Sequence, residues 1–425
     1  MQEDFLHYIW NFKKFEFRRA HTVDGQPVRI INSGTPNFNS GPDFFNANIQ
    51  IGEQLWAGNV EIHVRSSDWY SHRHENDPNY ENVVLHVVWE NNIDIYRKDN
   101  SVIPALELKN LTSEETLTSY RNLLLAPKAK WINCEKEFVN FQNFEIENWL
   151  ERMYFEKLEQ KSDAIGKLLK NSENNWEEVL FRLLARSFGL KVNGEAFLSL
   201  AQSLDFGIIQ KCRTSPLLLE ALFFGQSGLL DKKNEDEYFL ELKKEYNFLK
   251  RKFGLSNSGV ERPKYFRLRP ENFPNIRLSQ LAELYSRVPH LFSKIISTGT
   301  RKELHELLKV ETGVYWKKHY NFGKEHSLRA KKLSEDFIDL LIINTIIPLK
   351  FYYFRSIGSG DPQQILSLVQ EIKTEKNTVI EKFNIIRPNT AVTALHSQGL
   401  LHLKAAYCDK NYCLKCNLGA KIIRG

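Results

Sequence analysis

Cysteine and methionine are scarce in this 425-residue chain, at five and two. The thiols are few and odd in number, with three crowded near the end. That argues against a disulfide framework and points to reduced thiols or a bound metal. No stretch approaches the roughly 18 unbroken apolar residues of a membrane span. The opening MQEDFLHYIW starts with acids and lacks the basic-then-apolar order of a signal peptide. A cytoplasmic protein with no membrane partner is therefore expected. No fixed period repeats, which argues against a solenoid. The length also argues against one small core, and two or three domains are expected.

The net charge of +6 hides an asymmetry. Residues 1–125 hold 11 Lys+Arg against 17 Asp+Glu, and the remainder 47 against 35. An acidic site-bearing domain joined to a basic body suits a metal enzyme that grips a polyanion such as DNA or RNA. Lys-rich helices that are simply solvated give the same numbers.

Apolar spacing predicts an opening helix over 2–18 and a strand over Val28–Asn32. A Gly-, Pro- and Asn-rich loop, 34–41, then leads into Asp43. Three strands are predicted at Phe45–Ile51, Val60–Val64 and Val83–Trp89, with edge strands at Ile93–Tyr96 and Ala105–Leu108. The predicted organisation is an α/β or α+β domain over 1–125, a linker over 126–144, a basic α-helical body over 145–390, and a C-terminal helix with clustered cysteines over 391–425. The body's helices are predicted at 176–188, 217–224, 238–253, 278–285, 337–346 and 362–383, and a last helix at 392–406. Asn344, Ser397 and Gln398 are expected to be buried polar groups that fix packing.

Chemistry concentrates in SGPDFFNANIQIGEQLWAGNVEIHVRSSDWYSHRHENDPNYENVVLHVVWE, residues 40–90. A period of two puts Glu61, His63 and Arg65 on one strand face and Val60, Ile62 and Val64 on the other. Pro42-Asp43 followed by Glu61-Ile62-His63 resembles the nuclease superfamily whose signature is Pro-Asp and then Asp/Glu-x-Lys, PD-(D/E)XK. That resemblance implies a restriction-endonuclease-like sheet on which Asp43 and Glu61 hold Mg²⁺ or Mn²⁺, with Glu3 as an upstream acid. It also implies hydrolysis of a phosphodiester. His63 stands where the family has Lys and would orient or deprotonate the attacking water. Arg65 is placed to supply the missing positive charge. A non-cutting domain is the alternative that this departure leaves open. Two other readings of the residues remain. Glu61 and Arg65 can form a salt-bridged strand face, or His63, His72, His74 and His86 can hold Zn or Fe.

Cys408-x4-Cys413-x2-Cys416 matches part of an iron–sulfur run and equally three ligands of a structural zinc, with Cys134 as the fourth ligand. Cys212 is expected to be a buried small residue. In the body, Arg267, Arg269 and Arg277 are candidates to hold phosphates, and Trp316, Lys317 and Lys318 to stack and neutralise nucleic acid. Prolines and aromatics building an interhelical core is the other explanation of those stretches. Taken together, GPDFFNANI, GNVEIHVRSSDW, NVVLHVV, EALFFGQSGLL, RLRPENFPNIRLSQLA, YWKKHYNFG and the terminal C-x4-C-x2-C resemble the DUF2851 family, found mostly in Bacteroidetes, over nearly the whole chain. That resemblance implies identity but no reaction.

Overall fold

Alternating apolar residues build the sheet that carries the site. In the computed structural model, which describes residues 1–37, 39–125, 130–359 and 362–424, the strands are β1 (Val28–Asn32), β2 (Thr35–Pro36), β3 (Phe44–Ile51), β4 (Gln54–Arg65), β5 (Val83–Glu90) and β6 (Ala105–Glu107). They form one mixed sheet in the order β1-β3-β4-β5-β6, with β2 paired to β3. β1, β3 and β4 run antiparallel, and β5 and β6 continue parallel to β4. The connection from β4 to β5 holds the short helix α2 (Asp68–Ser71) and two 3₁₀ turns. The predicted edge strand at 93–96 reduces to a single bridge, Tyr96 with Val102.

Helix α1 (Glu3–Asn11) is shorter than predicted, since Lys13 turns left-handed at φ 49°. Its Phe5, Leu6, Ile9 and Trp10 pack in one core with Val60 and Ile62 of β4, and Val64 lies against the same core. Burying a side chain of this size contributes about 1.5–3 kcal/mol relative to leaving it exposed. Glu61 and His63 consequently stand on the opposite face of β4.

The chain divides into two units. The first comprises Met1–Trp149, Lys382–Pro388 and Leu401–Gly425, and the second Leu150–Glu381 and Asn389–Leu400. The predicted separate C-terminal segment is thus not a body of its own. Ala420 and Ile423 of its helix Asn417–Arg424 join the core under the sheet, and the Tyr8 hydroxyl donates to the Ala420 carbonyl at 3.0 Å. Residues 126–129 of the predicted linker lie outside the described residues, as does Phe38 of the 34–41 loop.

The second unit is helical, and the protein is α+β, with 54% of the described residues in helices. Trp176–Phe188 forms as predicted, with the Asn175 side chain accepting from the Glu178 N–H. The predicted helix over 362–383 is two, Pro362–Gln370 and Thr378–Ile386. Among the described residues, one helix, Glu335–Ser356, is long and apolar enough to cross a membrane, and 61% of its apolar window is buried inside the protein. Asn344 on this helix is exposed, contrary to expectation, and Thr345 takes the buried place. Ser397, Gln398 and Cys212 are buried as expected.

Candidate metal centre

Asp43 immediately precedes β3, where Phe44 pairs with Val60, so the register sets Asp43 opposite Glu61. Two bonds fix the pair. The Asp43 N–H donates to Glu61 Oε2 at 3.2 Å, and the Ile62 N–H donates to Asp43 Oδ2 at 2.9 Å. A bulge follows at once, with Asn46 left-handed at φ 56°, and it bends the strand beside the site. Gly34, at φ +93°, opens the loop before Asp43, and a Cβ there would meet the Phe45 carbonyl at 2.8 Å.

Helix α1 adds Glu3 and, one turn on, His7. One donor atom each from Glu3, His7 and Asp43 lie within 4.8 Å of one another. His7 Nε2 is 3.2 Å from Asp43 Oδ2 but misaligned for a hydrogen bond, so this buried nitrogen has no hydrogen-bond partner. The sequence reading missed His7. The signal was there, in the Glu3-x3-His7 spacing on one helical face.

Glu61 faces imidazoles with its other oxygen. Oε1 is 3.2 Å from His74 Nε2 and 3.5 Å from His63 Nε2. His63 Nε2 lies 3.1 Å from His72 Nδ1, and His63 Nδ1 lies 2.8 Å from His86 Nε2. His72 closes α2 and is exposed, while His74 starts the next turn after a left-handed Arg73 and stacks on Tyr80 at 3.8 Å. One ring nitrogen each from His63, His72 and His74 lie within 4.8 Å. Beside them a cleft of about 240 Å³ is lined by Trp69, His74, Tyr80, Tyr96 and Arg97.

Burial and neighbouring charges set the electrostatics of these groups. Burial, and then the Asp43 charge, holds Glu61 well above the carboxylate range. Burial and Asp43 raise Glu3 in the same way. For His7, burial works to lower the pKa, but Asp43, then Glu3 and Asp4, outweigh it and raise it. Burial pushes His63 down to about 2 and His86 to about 3.

A neutral, 1% exposed His63 cannot supply the positive charge that Lys would bring. The positive charge is expected of Arg65 rather than of His63, and His63 itself bonds His72 and His86. Arg65 is exposed, and its backbone N–H bonds Asp68 Oδ2 at 2.9 Å.

The same unit gathers Cys134 near Cys408, Cys413 and Cys416, whose charges act on one another. Asn133 ties the segments by donating to Cys413 Sγ at 3.4 Å and to Asn411 Oδ1 at 3.1 Å. Burial raises all four thiol pKa values. Among the described residues no three of these thiols come within 4.8 Å. The sulfurs of one tetrahedral zinc stand closer, at about 3.8 Å.

In the helical unit two expected nucleic-acid contacts are corrected. Trp316 is 0% exposed and donates its Nε1–H to Glu220 Oε2 at 2.9 Å. Arg277 is buried, bonded to Gln280 and Asn272, and lies over the Phe337 ring. Arg267, Arg269 and Lys318 are exposed, and Lys317 pairs with Glu311 at 2.7 Å.

Fold and site together define an α+β protein with a histidine–carboxylate cluster at the end of a mixed sheet. The chain belongs to the family described as Protein of unknown function (DUF2851), whose model matches residues 3–378. No curated protein and no solved structure matches it.

Proposed function

We propose that the protein is a metal-dependent phosphodiesterase acting on nucleic acid, with a divalent ion held by Glu3, His7 and Asp43 beside Glu61. The observation that carries this is the Asp43–Glu61 pair, two acids that the strand register sets opposite one another, with Glu61 held by the Asp43 N–H, Asp43 held by the Ile62 N–H, and His7 Nε2 3.2 Å from Asp43 Oδ2. The order helix, three antiparallel strands, helical crossover and parallel strand supports a PD-(D/E)XK-like core, the superfamily that the Pro-Asp and Glu-x-His strings resemble. A bound divalent ion would supply an ionised water and offset charge at phosphorus. The chain's own residues position it. Glu61 is fixed by the Asp43 N–H, and Asp43 by the Ile62 N–H. In the reaction, water oxygen bonds phosphorus, the bond to the leaving sugar oxygen breaks, and a water proton ends on that oxygen. The exposed Arg267, Arg269 and Lys318 would serve the polyanion. The five free cysteines support a reducing cytoplasm as the compartment.

The test is cleavage of labelled single- and double-stranded DNA and RNA with Mg²⁺ or Mn²⁺. Glu61→Ala is expected to lower cutting by about 10²-fold or more, while binding persists. Binding without cutting by the wild type under both ions would favour the other reading, a silent nucleic-acid-binding protein. The neutral, enclosed His63 in the place of a Lys is the observation that favours that alternative.

A further inference from the structure

The reading above uses one side of Glu61. On its other side stand three imidazoles: His63 is hydrogen-bonded to His72 and to His86, while one His74 nitrogen is left without a bond. His74 Nε2 is buried and has no hydrogen-bond partner although Glu61 Oε1 is 3.2 Å away. His63 Nε2 and His72 Nδ1 point at one another at 3.1 Å, and His72 opens to solvent. A neutral imidazole offers one N–H and one lone pair. An ion among these rings would take the facing lone pairs together and give the orphaned His74 nitrogen its partner.

We propose that the centre is dinuclear, with a transition-metal ion of the zinc class among His63, His72 and His74, joined through Glu61 to the ion of the Glu3–His7–Asp43 set. This rests on the preceding reading for the first ion and adds the second. The donor chemistry selects the metal. Imidazole nitrogens suit Zn²⁺, Fe²⁺ or Ni²⁺, whereas Mg²⁺ prefers oxygen. The Glu61 carboxylate has the required placement, with Oε1 toward the imidazoles and Oε2 toward Asp43. The outer contacts also fit. His63 Nδ1–H would donate to His86 Nε2 at 2.8 Å, which frees His63 Nε2 as the ligand. The Tyr80 ring stacked on His74 fixes its plane. The exposed edge of His72 gives an ion and its water a way in.

The 425-residue protein, stripped of metal, with its thiols alkylated and then dialysed against Zn²⁺, is expected to bind two ions per chain by elemental analysis. His72→Ala, at an exposed position, should fold as the wild type does by circular dichroism and retain one ion. Asp43→Asn should likewise retain one. In Co²⁺-loaded protein the visible bands of the three-imidazole ion should disappear in His72→Ala and persist in Asp43→Asn. A wild type that binds a single ion, kept undiminished by both His72→Ala and His74→Ala, overturns the proposal. Cleavage by that one-ion protein would leave the phosphodiesterase reading standing. Two ions bound with no cleavage would do the reverse.

Discussion

Glu220 is fully buried in the helical unit and takes three donors: the Tyr238 hydroxyl at 2.8 Å, the Trp316 indole at 2.9 Å and the Ser279 hydroxyl. Burial is the largest influence and raises its pKa, against the lowering effect of these three bonds. A carboxyl group can accept from all three, whereas an amide must turn an NH₂ toward at least one of them. Glu220→Gln is therefore expected to cost about 1–3 kcal/mol, read as a lower urea midpoint with unchanged slope. At this scale the sequence was uneven. The Asp43–Glu61 meeting was legible because strand period and short loops constrain it. His7 and the burial of Trp316 were not, because each depends on which helix packs where. A Tyr-Trp-Lys-Lys-His-Tyr string reads the same whether its Trp stacks on a base or fills a core.

Helix meets helix closely at Gly225 of Pro216–Gln226, where a Cβ would run into the Tyr246 ring of Glu237–Phe253. Gly225→Ala is expected to destabilise by about 1–3 kcal/mol through overpacking, despite the better helix propensity of Ala. Thermal melting checks it, and an unchanged midpoint would refute it. A second pair of helices is clamped by charge. Arg301 grips Asp339 with two bonds, at 2.7 and 2.8 Å, and His305 adds a third at 2.8 Å. Burial works to raise the Asp339 pKa, but the bonds from Arg301 and then His305 outweigh it and lower it. A depressed folded pKa gives stability that is complete above the unfolded value of about 3.9 and fades as pH falls through the folded value. The stability gap between wild type and Asp339→Asn should therefore be constant near neutrality and shrink below about pH 4. Helices with a full apolar stripe and a cap, such as Trp176–Phe188, were legible at this scale. The break after Gln370 was not, because apolar spacing runs on through it.

At the scale of the molecule, both ends of the chain belong to the site-bearing unit, which composition alone did not reveal. The shift from acidic to basic residues marks a change of architecture, but the return of 401–425 is a tertiary event. The metal expected at the four cysteines has a test of its own. Protein purified without oxygen is expected to carry iron with acid-labile sulfide, since the thiols stand wider than one zinc requires. Recovery of neither iron nor zinc would sink it. The returning segment also bears on biosynthesis. Because Ala420 and Ile423 fill the core beneath the sheet, a ribosome must deliver every intervening helix before that core can close. A polypeptide cut short before Ala420 would thus lack two buried side chains of the core beneath the sheet and the partner of the Tyr8 hydroxyl.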